Sequence, residues 1–320
     1  MNRTDRDVVL VNPAARGAPA DLAQTLRVRF PGARVWATQG PGHATELARR
    51  ALAEGVDPEG RVVACGGDGT FREVATAVGS ERCLGLLPTG TVNLVAAELG
   101  IPQGLDDALA VLAHGEPVPI YPGVADTQNG STLFFIGVSA GPDADAVHGV
   151  GRLGKKWLGR YAYAAAFAKR LATPVRADVR WECEGRRGAC GQFIAVRMPR
   201  YGGRYRISQT CSLFAPGLEA LCVDGARWGV LRFFWSVLRS DPRPARGVER
   251  WKVSEMRVEL PAHGRVQVDG DALIAQTLRL RAACEPVHVI GPAGFPPGRT
   301  GPRSGVAVSR SAVDSAGSRR

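Results

Sequence analysis

The residues best suited to chemistry form a glycine-rich turn, Cys65-Gly66-Gly67-Asp68-Gly69-Thr70. The turn follows a short apolar run and precedes an amphipathic run that starts at Phe71, a pattern that predicts a strand, a turn and a helix N-terminus. Glycines let the backbone approach a phosphate closely, and the free amides of a helix N-terminus attract anions. A carboxylate would repel a bare phosphate, so Asp68 indicates that a metal ion accompanies it. The turn therefore predicts a nucleotide–magnesium site, the alternative being that Asp68 only caps the following helix.

Alternating strand and helix patterns surround this turn in residues 1–122. Strands are expected at 8–11, 35–37, 62–65 and 84–87, and helices at 20–30, 44–54, 71–78, 94–99 and 105–113. Such alternation predicts a Rossmann-like α/β domain with a parallel sheet, whose ligands bind outside the carboxyl ends of the strands. The glycine turns after the first, third and fourth strands all fall on that edge, which supports a real site.

The pattern changes after Pro122 to short strand-like runs separated by glycine, proline and charged turns. Strands are expected at 133–138, 175–183, 192–198, 206–210, 221–223, 253–260, 265–268, 277–282 and 287–290, with helices at 159–171 and 228–239. This pattern predicts a mostly antiparallel β domain over residues 123–290. Residues 291–320 are rich in Gly, Pro, Ser and Arg, which predicts a disordered tail.

The charge balance is the unusual part of the composition. Lys and Arg number 41 against 30 Asp and Glu, a net charge of +11, whereas 45% apolar and 22% charged residues are ordinary for a globular protein. This excess favours anionic partners such as phospholipid headgroups or nucleotides. No nucleic-acid recognition motif is present, so nucleic acid is not an expected partner. The oligomeric state is left open, a homodimer included.

Several features bear on location. No apolar run approaches the ~18 residues that span a bilayer, and no signal peptide is visible. The seven scattered cysteines lack CxxC pairs, which favours reduced thiols in a cytoplasmic protein. The aromatic and arginine-rich segment 225–240 fits either a helix inserted at an anionic membrane surface or a helix packed on the β domain. The protein is expected to be cytoplasmic and to contact an anionic membrane surface peripherally, and both roles of this segment stay open.

Taken in order, the motifs resemble the diacylglycerol kinase catalytic-domain family, especially its soluble bacterial lipid kinases. The match runs from about Val8 to Ile290 and rests on the segments 11–17, 38–44, 66–73, 88–93, 101–102, 159–163, 201–203 and 269–271. The glycine–aspartate motif alone also occurs in NAD kinases and phosphofructokinases. Its combination with Pro88, Gly90-Thr91 and Asn93 at this spacing is much more specific.

The resemblance implies that ATP binds between the α/β domain and a C-terminal antiparallel β-sandwich, where a lipid hydroxyl is phosphorylated. The residues that it implies contact the nucleotide are Asn12, Thr38, Gly66, Gly67, Asp68, Gly69, Thr70 and Thr91. It further implies that Asp68 holds Mg²⁺, that Asp271 is the general base, and that Asp143 contacts the polar head of the acceptor lipid. From the residues alone, the alternatives are a hairpin-turn residue for Asp271 and a solvated loop residue for Asp143.

Departures from the family pattern keep two other functions open. Asp271 stands where the family usually has Glu, Leu94 where it has Asp, and Arg72 where it has Asn. Residues 215–220 also lack the aspartates that hold a structural magnesium in bacterial relatives. These changes suit a nucleotide- or lipid-binding protein that has lost catalysis. A soluble-substrate kinase of the NAD kinase type is a further alternative, which the 88–93 motif disfavours.

Overall fold

The computed structural model describes residues 6–57, 59–157, 160–203, 205–225, 227–240 and 246–295, without the side chains of 151–157, 160–164 and 171. The predicted motif 159–163 lies largely outside this description. In chain order the elements are β1 (Val8–Val11), α1 (Leu22–Arg29), β2 (Arg34–Ala37), α2 (His43–Ala53), β3 (Val62–Gly66), α3 (Asp68–Val78), β4 (Leu84–Pro88), α4 (Leu94–Glu98), α5 (Leu105–His114), β5 (Glu116–Ile120), β6 (Gly123–Thr127), β7 (Gly130–Phe134), β8 (Gly137–Ala140), α6 (Pro142–Trp157), α7 (Arg160–Leu171), β9 (Val179–Cys183), β10 (Arg186–Cys190), β11 (Gln192–Val196), β12 (Arg200–Tyr201), β13 (Tyr205–Arg206), β14 (Leu218–Val223), α8 (Arg227–Leu238), β15 (Val248–Val253), β16 (Glu255–Glu259), β17 (Arg265–Val268), β18 (Asp271–Ile274), β19 (Thr277–Ala282) and β20 (Val287–Gly291).

The first sheet forms the predicted α/β half, with strand order β2-β1-β3-β4-β20-β5. Its first four strands run parallel, β20 is parallel to β4, and β5 is antiparallel to β20. β1, β3 and β4 are buried along their whole length because helices cover both faces. Their carboxyl ends place the glycine turns at one edge.

Two further six-stranded sheets, ordered β10-β9-β16-β19-β6-β7 and β15-β14-β11-β8-β17-β18, pack face to face. All their pairings are antiparallel, and their inner faces share a core that includes Phe134, Trp181 and Phe193. The predicted combination of a parallel α/β domain and an antiparallel β-sandwich is therefore confirmed.

The last strand departs from the predicted division of the chain. Residues 287–290 were expected in the β domain, but β20 lies between β4 and β5 in the first sheet. The predicted tail starts as ordered chain, since the ring of Phe295 lies 5.6 Å from that of Phe214. The rest of that tail, 296–320, lies outside the described residues.

Candidate active site

Two glycine loops meet at the carboxyl edge of the first sheet. The first joins β3 to α3 and the second joins β4 to α4. A Cβ at Gly90 would lie 2.5 Å from Gly67 Cα, and one at Gly66 would lie 2.5 Å from Thr70 Oγ1. Neither position has room for a side chain, so the backbones of the two loops form a cradle with the N-terminus of α3 at its base.

Asp68 ties these loops together. Its carboxylate accepts hydrogen bonds from the Leu94 amide at 2.9 Å and the Val95 amide at 3.0 Å, the first two amides of α4. Asn93 closes the second loop in a left-handed conformation (φ 52°), accepting from the Gly90 amide and donating to the Gly90 carbonyl. Burial raises the pKa of Asp68, and the two amides oppose that rise. The alternative that Asp68 caps the following helix is wrong, because α3 has no side-chain cap and Asp68 instead caps the more distant helix α4.

Most of the predicted nucleotide contacts come together around this cradle. Asn12 follows β1, and its Nδ2 donates to Thr70 Oγ1 at 3.0 Å. Thr38 follows β2 and is anchored by its amide, which donates to the Val11 carbonyl at 2.8 Å. Glu73 of α3 accepts from the amides of Gly42 and Ala44 at the start of α2. Thr91 is exposed in the second loop.

The second half of the molecule places Asp271 over the first loop. Asp271 begins β18, and its Oδ2 lies 3.0 Å from the position that a Cβ on Gly69 would occupy. Arg72 of α3 donates to the same oxygen at 2.9 Å and to Thr132 Oγ1 at 3.2 Å. The Asp271 side chain stays 50% exposed. One carboxylate of the second half therefore lies against the glycine cradle of the first and stays half-exposed.

The turn that carries Asp271 is fixed by the preceding aspartate. Asp269, itself at φ 49°, accepts hydrogen bonds from three consecutive amides, those of Phe135, Ile136 and Gly137. Burial raises the pKa of Asp269 to about 6, while the charge of Arg72 and the three amides oppose the rise. These contacts lock the turn onto the segment between β7 and β8.

A buried polar network lies behind the same turn. The Gly270 amide donates to Gln267 Oε1 at 2.6 Å, and Gln267 Nε2 donates to Ser139 Oγ and Tyr201 Oη. Both hydroxyls donate in turn to Asp143, which is 2% exposed. In this conformation the Asp143 carboxylate faces Ser139 and Tyr201 and not the cleft, so its contact with a substrate stays a prediction.

The side chains that could coordinate a metal ion bear on whether Asp68 binds Mg²⁺ directly. Within the described part of the chain, no three His, Cys, Asp or Glu side chains converge on one point. Both oxygens of Asp68 already accept amide hydrogens, which fits a residue tying two loops better than a direct metal ligand. The metal-binding role of Asp68 therefore stays a prediction. The glycine cradle, in contrast, fits a phosphate chain.

Comparison with known proteins places this arrangement in a family. Residues 6–124 match the model of the diacylglycerol kinase catalytic domain. A Pseudomonas putida protein named "Probable lipid kinase YegS-like" is 30% identical over 294 residues, covering 89% of this chain and 93% of that protein. The chain belongs to the diacylglycerol kinase catalytic-domain family. The predicted resemblance is thus confirmed, and membership classes the chain with phosphoryl-transferring enzymes.

Other relatives agree with this assignment. A diacylglycerol kinase of Staphylococcus carnosus is 32% identical over 154 residues, which are 47% of this chain and 48% of that protein. A solved diacylglycerol kinase structure from Bacillus anthracis superposes with a TM-score of 0.67 at 19% identity, covering 91% of this chain and 98% of that one. That likeness supports the two-part fold of this family member.

Two contributors to the site escaped the sequence reasoning. The sequence showed Arg72 only as a replacement for an Asn of the family pattern, and its pairing with Asp271 spans 199 residues. Gln267 gave no signal beyond a polar residue in a strand, yet it holds Gly270 from a fully buried position. The Arg72–Asp271 pair is too far apart in sequence to leave a local pattern, and the Gln267–Gly270 bond, although it spans only three residues, belongs to a buried network that no local pattern marks.

Proposed function

We propose that this protein transfers the γ-phosphoryl group of ATP to the hydroxyl of diacylglycerol or a related lipid, at the cytoplasmic side of a membrane. One observation carries the proposal: the Asp271 carboxylate from the β domain lies against Gly69 of the phosphate cradle. A carboxylate at that position can take a proton from a hydroxyl brought to the terminal phosphate. The lipid acceptor is supported by the family and by the names of its relatives.

Different residues of the site bind the phosphates, accept the proton and position the base. The amides at the start of α3 and the glycines of both loops bind phosphate oxygens, and Asn12 and Thr70 shape the wall of the cradle. Asp271 orients the acceptor hydroxyl and accepts its proton as the new phosphorus–oxygen bond forms and the bond to the leaving ADP breaks. Arg72 holds Asp271 in place and adds positive charge beside the cradle.

Magnesium would arrive with the nucleotide, because this ion is usually held by one or two carboxylates plus substrate phosphates. It would neutralise phosphate charge. Asp68, and secondarily the half-exposed Asp271, are the carboxylates near enough to the cradle to contribute.

The direct test combines labelled ATP, a total lipid extract in mixed micelles and mass spectrometry of the products. We expect one phosphorylated lipid class, and a fall of about 10²–10⁴-fold in rate for Asp271→Asn. Asp106→Asn, which changes an aspartate 81% exposed on α5, is the matched control and should keep the native rate. If no lipid is labelled, or Asp271→Asn stays fully active, the proposal is wrong.

One observation favours the catalytically impaired alternative. Arg72 already occupies an oxygen of Asp271, and the aspartate is one methylene shorter than the Glu of the family pattern. In that case the natural protein would bind ATP without turnover, and Asp271→Glu would create activity. Phosphorylation of a soluble substrate without micelles would instead favour the NAD kinase type.

A further inference from the structure

The outer surface of α8 carries an unusual exposed stripe. Trp228, Trp235 and Leu238 are 65%, 58% and 52% exposed, although large apolar side chains are normally buried. Partly buried Leu231 lies between them in a spacing of three, four and three residues, so all four share one side of the helix. We call Trp228, Trp235 and Leu238, with the arginines that flank them, the α8 outer face.

The opposite side of the same helix is fully used by the fold. Val230, Phe233 and Val237 are buried in the main core, and Phe234 packs edge-on against Phe167 of α7 at 4.5 Å. Packing therefore explains the inner side of α8 and leaves the outer face unexplained. The inner side of α8 agrees with the expectation that this segment packs on the protein. The exposed outer side leaves room for the other expectation, contact with a membrane surface.

Arginines border the stripe on both sides. Arg227, Arg232 and Arg239 are exposed, and no acidic residue occurs between Arg227 and Ser240. The guanidinium of Arg227 lies 5.2 Å from the centre of the Trp228 ring, and that of Arg239 lies 5.0 Å from the Trp235 ring. A surface with tryptophan at its centre and arginine at its edges matches the boundary between lipid headgroups and acyl chains.

The β12–β13 hairpin lies between the end of α8 and the second glycine loop. The Arg206 amide in the β12–β13 hairpin donates to Ser240 Oγ just after α8, at 3.4 Å. A Cβ on Gly203, at the tip of that hairpin, would lie 3.9 Å from Val92 of the second glycine loop. Val92 is itself 49% exposed. The hydrogen bond to the hairpin and the closeness of the hairpin to Val92 thus place α8 near the loop that shapes the candidate active site.

We propose that the α8 outer face docks on the surface of an anionic phospholipid bilayer. Charge complementarity identifies the occupant, because the helix is purely cationic on a chain of net charge +11. Among the described residues, none of the helices has the length and apolar content of a membrane span. This inference rests on the proposed function only for its purpose, which is to bring the cleft to a membrane-resident acceptor.

Co-sedimentation of the full chain with vesicles, without nucleotide, tests the docking surface. Vesicles of equimolar phosphatidylcholine and phosphatidylglycerol should bind the protein, and vesicles of phosphatidylcholine alone should bind it more weakly. Arg232→Gln with Arg239→Gln should weaken binding about fivefold for each arginine removed. Trp228→Ala with Trp235→Ala should weaken it at least about tenfold, with rescue by Phe at both positions.

Matched controls keep the test specific. Arg187→Gln changes an exposed arginine on β10, and Val28→Ala changes an apolar side chain 71% exposed on α1. Both should bind vesicles like the native protein. Because all these side chains are exposed, melting temperatures should agree among the variants, and quenching of tryptophan fluorescence by brominated lipid gives a second measurement.

The outcomes separate this inference from the kinase proposal. If the α8 variants bind vesicles as the native protein does, the docking surface is wrong and the kinase proposal stands. If light scattering shows a dimer that the tryptophan changes dissociate while vesicle binding persists, the face is instead an interface between two copies. Intact vesicle binding with no lipid phosphorylation overturns the proposed function and leaves the docking surface standing.

Discussion

Arg72 of α3 and Asp271 at the start of β18 form an ion pair between the two halves of the molecule, with Nη2 and Oδ2 2.9 Å apart. The pair fixes where the Asp271 carboxylate sits over Gly69. A displacement of about 1 Å at a reacting group can lower a rate roughly a hundredfold. We therefore expect Arg72→Leu to lower kcat about 10- to 100-fold, and Arg72→Lys to restore part of the loss.

Stability should hardly change in those variants. A pair with a half-exposed partner contributes only about 0–1 kcal/mol to the free energy of unfolding. Steady-state kinetics and thermal unfolding of the two variants provide the measurement. An unaltered kcat in Arg72→Leu would show that Asp271 needs no partner.

Asp269 makes the free energy of unfolding depend on pH. Its pKa is about 6 in the folded chain against an ordinary 3.8, so between these values the folded state holds a proton that the unfolded state has released. The stabilisation from this group is complete below about pH 4 and is lost as pH rises through about 6, by at most about 1.4 kcal/mol per pH unit. Above that range the contribution no longer changes.

Denaturant unfolding at a series of pH values would check this expectation. The native protein should lose more stability between pH 4 and 6 than Asp269→Asn, whose side chain does not titrate. Asp269→Ser serves if the amide variant, which sets an NH₂ group against a backbone donor, unfolds too readily. Parallel pH profiles would show that Asp269 has an ordinary pKa.

At the scale of elements, Asp68 caps α4, a helix of only five residues. Its carboxylate accepts hydrogen bonds from the first two amides of that helix. Loss of such a cap costs about 1–2 kcal/mol. We expect Asp68→Asn to lower the melting temperature by a few degrees without nucleotide or metal present. Asp106→Asn in the first turn of α5 is the control. An unchanged melting temperature in the metal-free protein would favour the predicted magnesium role instead.

The elements also show how far a sequence can be interpreted. Strands β1, β3 and β4 were predicted within one residue, because buried parallel strands appear as short β-branched and apolar runs. The run 133–138 was predicted as one strand, but it breaks into β7 and β8 where the Asp269 carboxylate takes three amides. α6 was missed, since its Gly, Asp and His content hides a helical pattern. Contacts with the distant Asp269 decided the first case.

In the candidate site, too, some features could be predicted from the sequence and others could not. The glycine loops and Asp68 were predicted from local pattern, and Asp271 from the resemblance. Neither pattern nor resemblance gave the Arg72–Asp271 pair, which depends on how β18 approaches α3, or the burial of Gln267, which depends on how β17 pairs with β8. Local spacing predicts which residues line a loop, and only the packed fold gives their partners.

At the scale of the whole molecule, the two halves are joined by chain topology as well as by side chains. The chain leaves the first sheet after β5, forms both antiparallel sheets and returns as β20 between β4 and β5. The ring of Phe71 in α3 also packs 4.9 Å from that of Phe135, which follows β7. The α/β half is therefore completed by residues from the far end of the described chain.

This return makes the α/β half dependent on its last strand. A fragment of residues 1–122 would lack β20, which leaves β5 without its partner strand and exposes the edge of β4. Val287, Val289 and Ile290 would also be missing from the core, where each is at most 3% exposed. We expect this fragment to aggregate or to show no cooperative thermal transition, as measured by circular dichroism and calorimetry.

A chain ending at Phe295 keeps every strand pairing described above, so it is the matched control and should melt cooperatively near the temperature of the full chain. A cooperatively folded 1–122 fragment would show instead that the first four strands and their helices suffice, and that β20 only covers a finished sheet.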